Sequence, residues 1–269
     1  MSSSDVHPPA PTRVAASVDA GLGRLRLVAA DRRNAIDQRW VDVLRVAVDH
    51  LRGRDDLCAL LIDAEGPAFT VGGDLRHIGG DPERIAETLE PMIGGFHGSL
   101  RDLGELDVPV VCAVQGGAAG GGLGLAWLAD VVLVADDLKL ATGFDRLGLS
   151  GDGNASWWLP RLVGLRRAQE LLIGGRVLGA EEAVAWGIAT RVVPRAELEE
   201  VALAEARRLA AGPTRALGRI RRFLRTSGEV AVGERLAQEV ASMAELAPTP
   251  EAREGIMAFV ERRAPRFDA

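Results

Sequence analysis

Ten residues hold most of the chemistry this sequence can offer. Gln115-Gly-Gly-Ala-Ala-Gly-Gly-Gly-Leu-Gly124 carries six glycines. An apolar, β-branched run at residues 108–114 precedes it and reads as a buried strand. Residues 125–129 follow it and read as the opening turns of a helix. Glycine has no Cβ, so at such a junction the backbone can approach a ligand and expose its N–H groups. The first amides of a helix lack internal partners, and the helix dipole adds partial positive charge there. That arrangement suits an anion or a developing oxyanion. Close helix packing also uses glycine, but a cluster this dense favours binding. The stretch is not a P-loop, because no G-x-x-x-x-G-K-[ST] is present. Nor is it a dinucleotide fingerprint, because no acidic residue follows a second strand at the required distance. A second glycine-bearing loop, Gly66-Pro-Ala-Phe-Thr-Val-Gly-Gly-Asp-Leu75, lies upstream, bordered by Arg76 and His77. A third, at residues 143–154, is rich in glycine and acid and holds Asp145 and Asp152.

These loops need a frame. Residues 14–19 and 24–28 read as strands around Gly21-Leu22-Gly23, a hairpin signal. Asp37 is placed to cap a helix over residues 38–54, where Trp40, Val43, Leu44, Ala47 and Leu51 recur at helical spacing. Residues 57–63 read as a buried strand, 66–75 as a loop and 82–106 as a helix. Strands are expected at 131–135 and 139–141. Helices are expected at 155–163, 165–173, 180–186, 197–211, 213–225, 230–246 and 251–262. Strands interleaved with helices, then helices alone, predict an α/β core with a helical C-terminal layer. The expected division is a tail at 1–12, a core at 13–200 and a helical region at 201–269.

Composition narrows the function. The 269 residues are 47% hydrophobic and 26% charged, enough for one large core. A net charge of −6 without any long basic run disfavours nucleic acid as a partner. Tyr is absent and aromatics are 4%, so no base-stacking platform is evident. Cys58 and Cys112 each lie in an apolar run and read as buried free thiols, which fits a reducing cytoplasm. His7, His50, His77 and His97 show no metal-ligand spacing, so no metal is expected. The Ser- and Pro-rich start lacks a basic region followed by an apolar one, and reads as a disordered tail. Residues 116–135 are apolar except for Asp130. The glycines and that charge argue for strand, turn, helix and strand there, with no membrane partner.

Several of these pieces occur together in a known family. They are Arg33-Asn-Ala35, Ala68-Phe-Thr-Val-Gly-Gly-Asp-Leu75 and Pro109 through Gly122, then Leu147-Gly-Leu149 and Trp158-Leu-Pro-Arg-Leu-Val-Gly164. Ala180-Glu-Glu-Ala-Val-Ala-Trp-Gly187, Glu251-Ala-Arg-Glu-Gly255 and Pro265-Arg-Phe267 complete the set. In this order they make the chain resemble the crotonase (enoyl-CoA hydratase/isomerase) superfamily. The resemblance implies a spiral of ββα units with a C-terminal helical trimerisation region, and a homotrimer or hexamer. It implies an acyl-CoA thioester substrate and no cofactor. The N–H groups of Gly73 and Gly121 would form the oxyanion hole for the thioester oxygen. Arg33 and Ala35 would lie against the CoA nucleotide. Val71, Gly72, Asp74, Leu75, Gly117, Phe144 and Leu149 would line the substrate path, with Asp74 also stabilising its loop.

The same resemblance exposes departures. Hydratases of this family use two glutamates, whose positions fall at Gly124 and Phe144 here. Neither residue can accept a proton. Asp145 sits beside the second position, but a residue one step along a loop usually points elsewhere. Asp152 matches the aspartate of two subgroups, the 1,2-epoxyphenylacetyl-CoA isomerases and the 4-chlorobenzoyl-CoA dehalogenases. In the first it would be an acid/base and in the second a nucleophile. As a plain structural residue it would cap the helix at 155–163, a task Asn154 can also perform. His97 matches a histidine of the dehalogenases, although a lone histidine is more often a solvated helix residue. Trp157 and Trp158 read as pocket wall or core. The leading expectation is an enoyl-CoA isomerase that uses one aspartate. Alternatives are a thioester hydrolase or dehalogenase in which His97 activates water, a hydratase with atypical residues, and a non-catalytic scaffold. Leu236, Val240 and Met243 are expected to be buried between subunits.

Overall fold

Burial periodicity explains the strand order. In the computed structural model, which describes residues 12–267, β1 (Val14–Asp19) and β2 (Leu22–Leu27) alternate buried and more exposed positions and pair antiparallel at one edge. The helix α1 (Gln38–Arg52) follows, with the Trp40 N–H donating to Asp37 Oδ1 at 2.9 Å, as a cap should. Strand β3 (Ala59–Ala64) is buried at every position, as a strand covered on both faces must be. Three-residue β4 (Ala68–Thr70), four-residue α2 (Leu75–Ile78) and the long α3 (Ile85–Gly104) come next. The pattern then repeats with β5 (Val110–Val114), β6 (Gly117–Ala119) and α4 (Gly124–Trp127). A third round supplies β7 (Val131–Ala135), β8 (Lys139–Ala141), α5 (Ala155–Val163) and α6 (Leu165–Leu172).

Each round places its first strand in a large sheet and its second in a small one. The large sheet has the order β1-β2-β3-β5-β7-β10, and the small one β4-β6-β8-β9. The shared members of each sheet run parallel, so the chain advances as a spiral of ββα turns. Strand β9 (Val177–Leu178), α7 (Ala180–Ala185) and β10 (Arg191–Val193) close the two sheets. One face of the large sheet packs on α1 and α3, where Trp40 and Phe96 meet edge-on with ring centroids 5.9 Å apart. The other face is covered by α8 (Leu198–Ala210), whose Leu198, Ala202 and Ala206 are buried with Leu61, Val111 and Leu133.

The C-terminal helices attach differently. Arg221 of α9 (Thr214–Arg225) is buried and acts as a rivet. Its guanidinium donates to the carbonyls of Gly104 and Leu106 at 2.7 Å, to that of Leu128 at 3.2 Å and to Asp130 at 2.8 Å. Beyond it, α10 (Val232–Leu246) and α11 (Pro250–Val260) leave apolar side chains bare. Val240 and Met243 are each 71% exposed and Phe259 is 85% exposed.

Several sequence expectations need correction. The loop expected at 66–75 contains β4, and the glycine turn contains β6, because three-residue strands carry no readable period. The strands β9 and β10 were not anticipated, for the same reason. The helix expected from residue 82 opens as a 3-10 turn at Pro82–Arg84, and α3 continues through Pro91. Cys112 is buried in β5, but Cys58 precedes β3 and is only half-buried. Other element ends shift by a few residues, the scatter expected of frayed termini. The tail expected at 1–12 falls, apart from Thr12, outside the described residues. Among those described, no helix is long and apolar enough to cross a membrane.

Candidate active site

The three loops singled out by composition converge on one cavity. The first is braced from behind by Arg33 and Asn34, both with left-handed backbone at φ 53°. Asn34 Nδ2 donates to the carbonyls of Glu65 and Ala68 at 3.1 and 3.0 Å, and its own carbonyl accepts from Thr70 Oγ1 at 2.8 Å. Ile36 N–H donates to Gly72 O at 2.9 Å, and Asp74 N–H donates to Ile36 O at 2.7 Å. Gly72 N–H is taken by Thr70 Oγ1 at 3.1 Å. Between these paired amides, the Gly73 N–H has no acceptor among the described residues. Asp74 closes the loop by accepting the amides of Arg76 and His77 at 3.1 and 3.3 Å and by pairing with Arg32. Partial burial pushes the Asp74 carboxyl up, but those amides and that guanidinium outweigh it and hold the group below the usual carboxylate range.

The second loop meets the first backbone to backbone. A Cβ on Gly72 would lie 3.1 Å from Ala119 O, and one on Gly120 would lie 3.2 Å from Gly72 Cα. Both glycines also have positive φ, so side chains are excluded twice over. Gly121 is the second residue of a 3-10 turn, Gly120–Leu123, and its N–H has no partner within that turn. The third loop folds over both. Gly151, Gly153 and Asn154 all have positive φ, and a Cβ on Gly153 would lie 2.1 Å from Gly121 O. This brings Asp152 against Gly121, where a Cβ would sit only 1.6 Å from Asp152 Oδ1. That oxygen is buried and has no hydrogen-bond partner. Burial pushes the Asp152 carboxyl up from its ordinary value, with His97 acting in the opposite direction.

Gly73, Gly121 and Asp152 border a cavity of about 330 Å³, walled mainly by apolar side chains such as Leu75, Ile78, Leu89, Ile93 and Phe144. A deeper recess of about 40 Å³, lined by Ile36, Met92 and Phe96, touches the same three residues. Among the described residues, Asp152 is the one carboxylate in these walls. Such an arrangement can take a proton from a carbon beside a carbonyl and hold the oxyanion that results.

Of the residues expected at the site, Val71, Gly72, Leu75, Phe144 and Leu149 line this cavity with the central three. Arg33, Ala35, Asp74 and Gly117 do not. Arg33 and Ala35 flank Asn34 in the brace, Asp74 caps α2, and Gly117 lies in β6. Asp145 is turned away, its carboxylate occupying the space beside Gly175, where a Cβ would lie 2.5 Å from Oδ2. It does not line this cavity. His97 borders a separate rear cavity of about 390 Å³ with Arg101, Gly124, Trp157, Trp158 and Arg225. Asp152 does not cap α5, whose N-cap position is Asn154. Ile78, Leu89 and Ile93 were missed in the sequence. For Leu89 and Ile93 the signal was the apolar spacing 89, 92, 93, 96, 100 along α3, which reads equally as core, whereas Ile78, on four-residue α2, had none.

The two hydratase positions are closed. A Cβ on Gly124 would meet Leu100 Cδ1 at 2.6 Å and Gly153 O at 2.7 Å, so no larger side chain fits. Phe144 is buried, with its ring against Gly151.

A two-sheet spiral here presents backbone amides and a bare carboxylate to one apolar cavity. The chain belongs to the enoyl-CoA hydratase/isomerase family, whose sequence model matches residues 18–269. It is 33% identical over 251 residues to the 1,2-epoxyphenylacetyl-CoA isomerase of Escherichia coli, covering 93% of this chain and 96% of that one. It is 30% identical over 202 residues to 4-chlorobenzoyl coenzyme A dehalogenase-2 of an Arthrobacter species, covering 75% and 73%. Its fold matches the crystal structure of an enoyl-CoA hydratase from Polaromonas with a TM-score of 0.88 at 26% identity, covering 95% and 99%. The relatives' names divide among isomerase, dehalogenase and hydratase. Membership therefore sets acyl-CoA chemistry as the class and leaves the particular reaction to the site.

Proposed function

We propose that the protein is an enoyl-CoA isomerase in which Asp152 is the sole acid/base. The observation that carries this reading is the single, unpaired carboxylate set against Gly121. In a 3-enoyl-CoA, the Asp152 carboxylate takes a proton from C2. The electrons move toward the thioester oxygen, which the Gly73 and Gly121 amides hold, each worth roughly 3 kcal/mol. The resulting dienolate takes the same proton back from Asp152 at C4, giving the 2-enoyl-CoA. No water is consumed, so the two glutamates of a hydratase are not needed. A carboxyl raised by burial is a stronger base than an ordinary aspartate, which suits proton abstraction near neutral pH. No cofactor enters this sequence of steps.

The proposal includes self-association. Leu236, Val240, Met243 and Phe259 present apolar surface on two adjacent C-terminal helices, more than scattered exposure accounts for. A homotrimer or hexamer would cover it, and light scattering at micromolar concentration should find no stable monomer.

The reaction is tested by incubating the protein with 3-enoyl-, 2-enoyl- and aroyl-CoA thioesters, followed by mass and ultraviolet spectrum. The expected result is conversion of 3-enoyl-CoA at unchanged mass with a gain of conjugated absorbance. A gain of one water would identify a hydratase, and release of free CoA a hydrolase; either outcome overturns the isomerase reading.

A further inference from the structure

Among the described residues the Asp152 side chain has no hydrogen-bond partner, so its placement depends on the backbone of its loop. That backbone is demanding, since Gly151, Gly153 and Asn154 hold φ values of 101°, 62° and 62°. One side chain outside the loop anchors it. The Gly153 N–H donates to His97 Nε2 at 3.1 Å, across 56 residues of sequence. We propose that His97 is a positioning residue for the isomerisation, its imidazole fixing the Asp152 loop through the hydrogen bond it accepts from the Gly153 amide. The inference rests on the isomerase reading above and assigns His97 a role other than activating water.

Geometry separates the two roles. An imidazole nitrogen that accepts a hydrogen bond has its lone pair occupied, and in the neutral ring the other nitrogen carries the hydrogen. The lone pair that a general base would use is therefore already engaged by Gly153. His97 also faces the rear cavity, whereas Asp152 faces the acyl cavity, with Gly153 between them. Gly153 is buried, so loss of its acceptor strands an amide that solvent replaces poorly. His97 itself is exposed toward the rear cavity, which gives bulk solvent access to the ring.

A side chain without an acceptor at residue 97 would leave the buried Gly153 amide unpaired and the loop held by its own backbone alone; His97 supplies that acceptor. The charged groups that share its surroundings are Arg101 on the same helix, Arg225 at the end of α9, Glu229 beyond it and Asp152 on the loop. Phe96 packs beside the ring, with centroids 6.4 Å apart.

The test compares H97Q with H97L. The glutamine amide oxygen stands the same number of bonds from Cα as Nε2 and can accept the Gly153 hydrogen, whereas leucine cannot. With 3-enoyl-CoA at pH 8, H97L should lose about tenfold or more in kcat with little change in KM, the scale of a small misplacement of a reacting group. H97Q should keep at least a third of wild-type kcat. H97Q as damaged as H97L, or H97L with full turnover, would overturn the proposal. A folded H97Q that loses about tenfold in kcat would do so as well, and that outcome decides the matter even if H97L does not fold. Hydrogen exchange of a peptide spanning 150–155 needs no substrate; it should quicken in H97L and not in H97Q. A wild-type protein inert toward every 3-enoyl-CoA would instead refute the isomerase reading, and the exchange comparison would still decide whether His97 holds the loop.

Discussion

Asp130 and Asp152 are two aspartates with opposite surroundings. Burial pushes both carboxyls up. Asp130, at the seam between the core and α9, accepts the Val110 N–H at 2.7 Å and Arg221 Nε at 2.8 Å, and that guanidinium pulls against the desolvation. Asp152 is given neither an amide nor a cation within hydrogen-bond reach, and its Oδ1 is buried bare. A carboxylate meant to hold structure is surrounded by donors, which lower its basicity. One meant to move a proton has to be kept from them. The contrast gives a physical criterion for separating the two tasks among acidic residues that the sequence treats alike.

The widest gap between the regions should appear when Arg221 is removed. R221L leaves Asp130 without its cation and three buried carbonyls without donors. The expected loss is at least about 3 kcal/mol, the low end for a broken buried pair because Asp130 keeps some solvent contact. A melting temperature lowered by about 6 °C or more would register it, and an unchanged one would show that α9 is held by something else. Next in size is the catalytic effect of D152N, which keeps shape but removes the base. Turnover of 3-enoyl-CoA should fall about a hundredfold or more, equivalent to about 2.7 kcal/mol of barrier, with little change in ligand affinity. Intact turnover in D152N would leave this cavity without a base and end the single-carboxylate mechanism. D130A, by contrast, takes the acceptor from the Val110 amide and from Arg221 Nε, and should cost about 1–2 kcal/mol of stability while sparing the chemistry.

The smallest effect has the opposite sign. Because the folded carboxyl of Asp152 is raised above its unfolded value, the folded state binds more protons between those two values. Its stability therefore falls as pH rises through that window, and the full penalty persists above it. D152N should melt higher than wild type at pH 7 and lose that advantage below the unfolded carboxylate range. The gain should be smaller than the D130A loss, and thermal melts at the two pH values would show it. A D152N protein less stable than wild type at pH 7 would mean that the carboxylate has a structural partner after all.

Much of this was legible because glycine is a statement about backbone. The cluster at 116–124 announced a close approach, and Gly72 and Gly120 do meet main chain to main chain. Asp152 was legible through its motif, and α1 through its period and its Asp37 cap. What sequence could not show is which way a loop residue turns. Asp145 and Asp152 are both acids in one glycine-rich loop, yet one packs beside Gly175 and the other against Gly121. The rear cavity was invisible too. Its walls come from α3, α5 and α9, and no local pattern links residues so far apart. The brace from Arg33 and Asn34 could not be seen either, because a left-handed pair within a loop has no signature beyond Asn.

The crowding around Gly124 bears on how readily this scaffold could change trade. An engineer seeking a hydratase would begin by writing a glutamate at that position. The obstacle there is partly the Leu100 side chain, which a smaller residue could relieve, and partly the carbonyl of Gly153, which no substitution removes. That carbonyl belongs to the loop that carries Asp152. Making room for the new acid would mean redrawing the path of the old one, so the two chemistries compete for the same backbone. Interconversion should then require transplanting residues 143–154 as a unit, and single-codon routes between the activities should be dead ends.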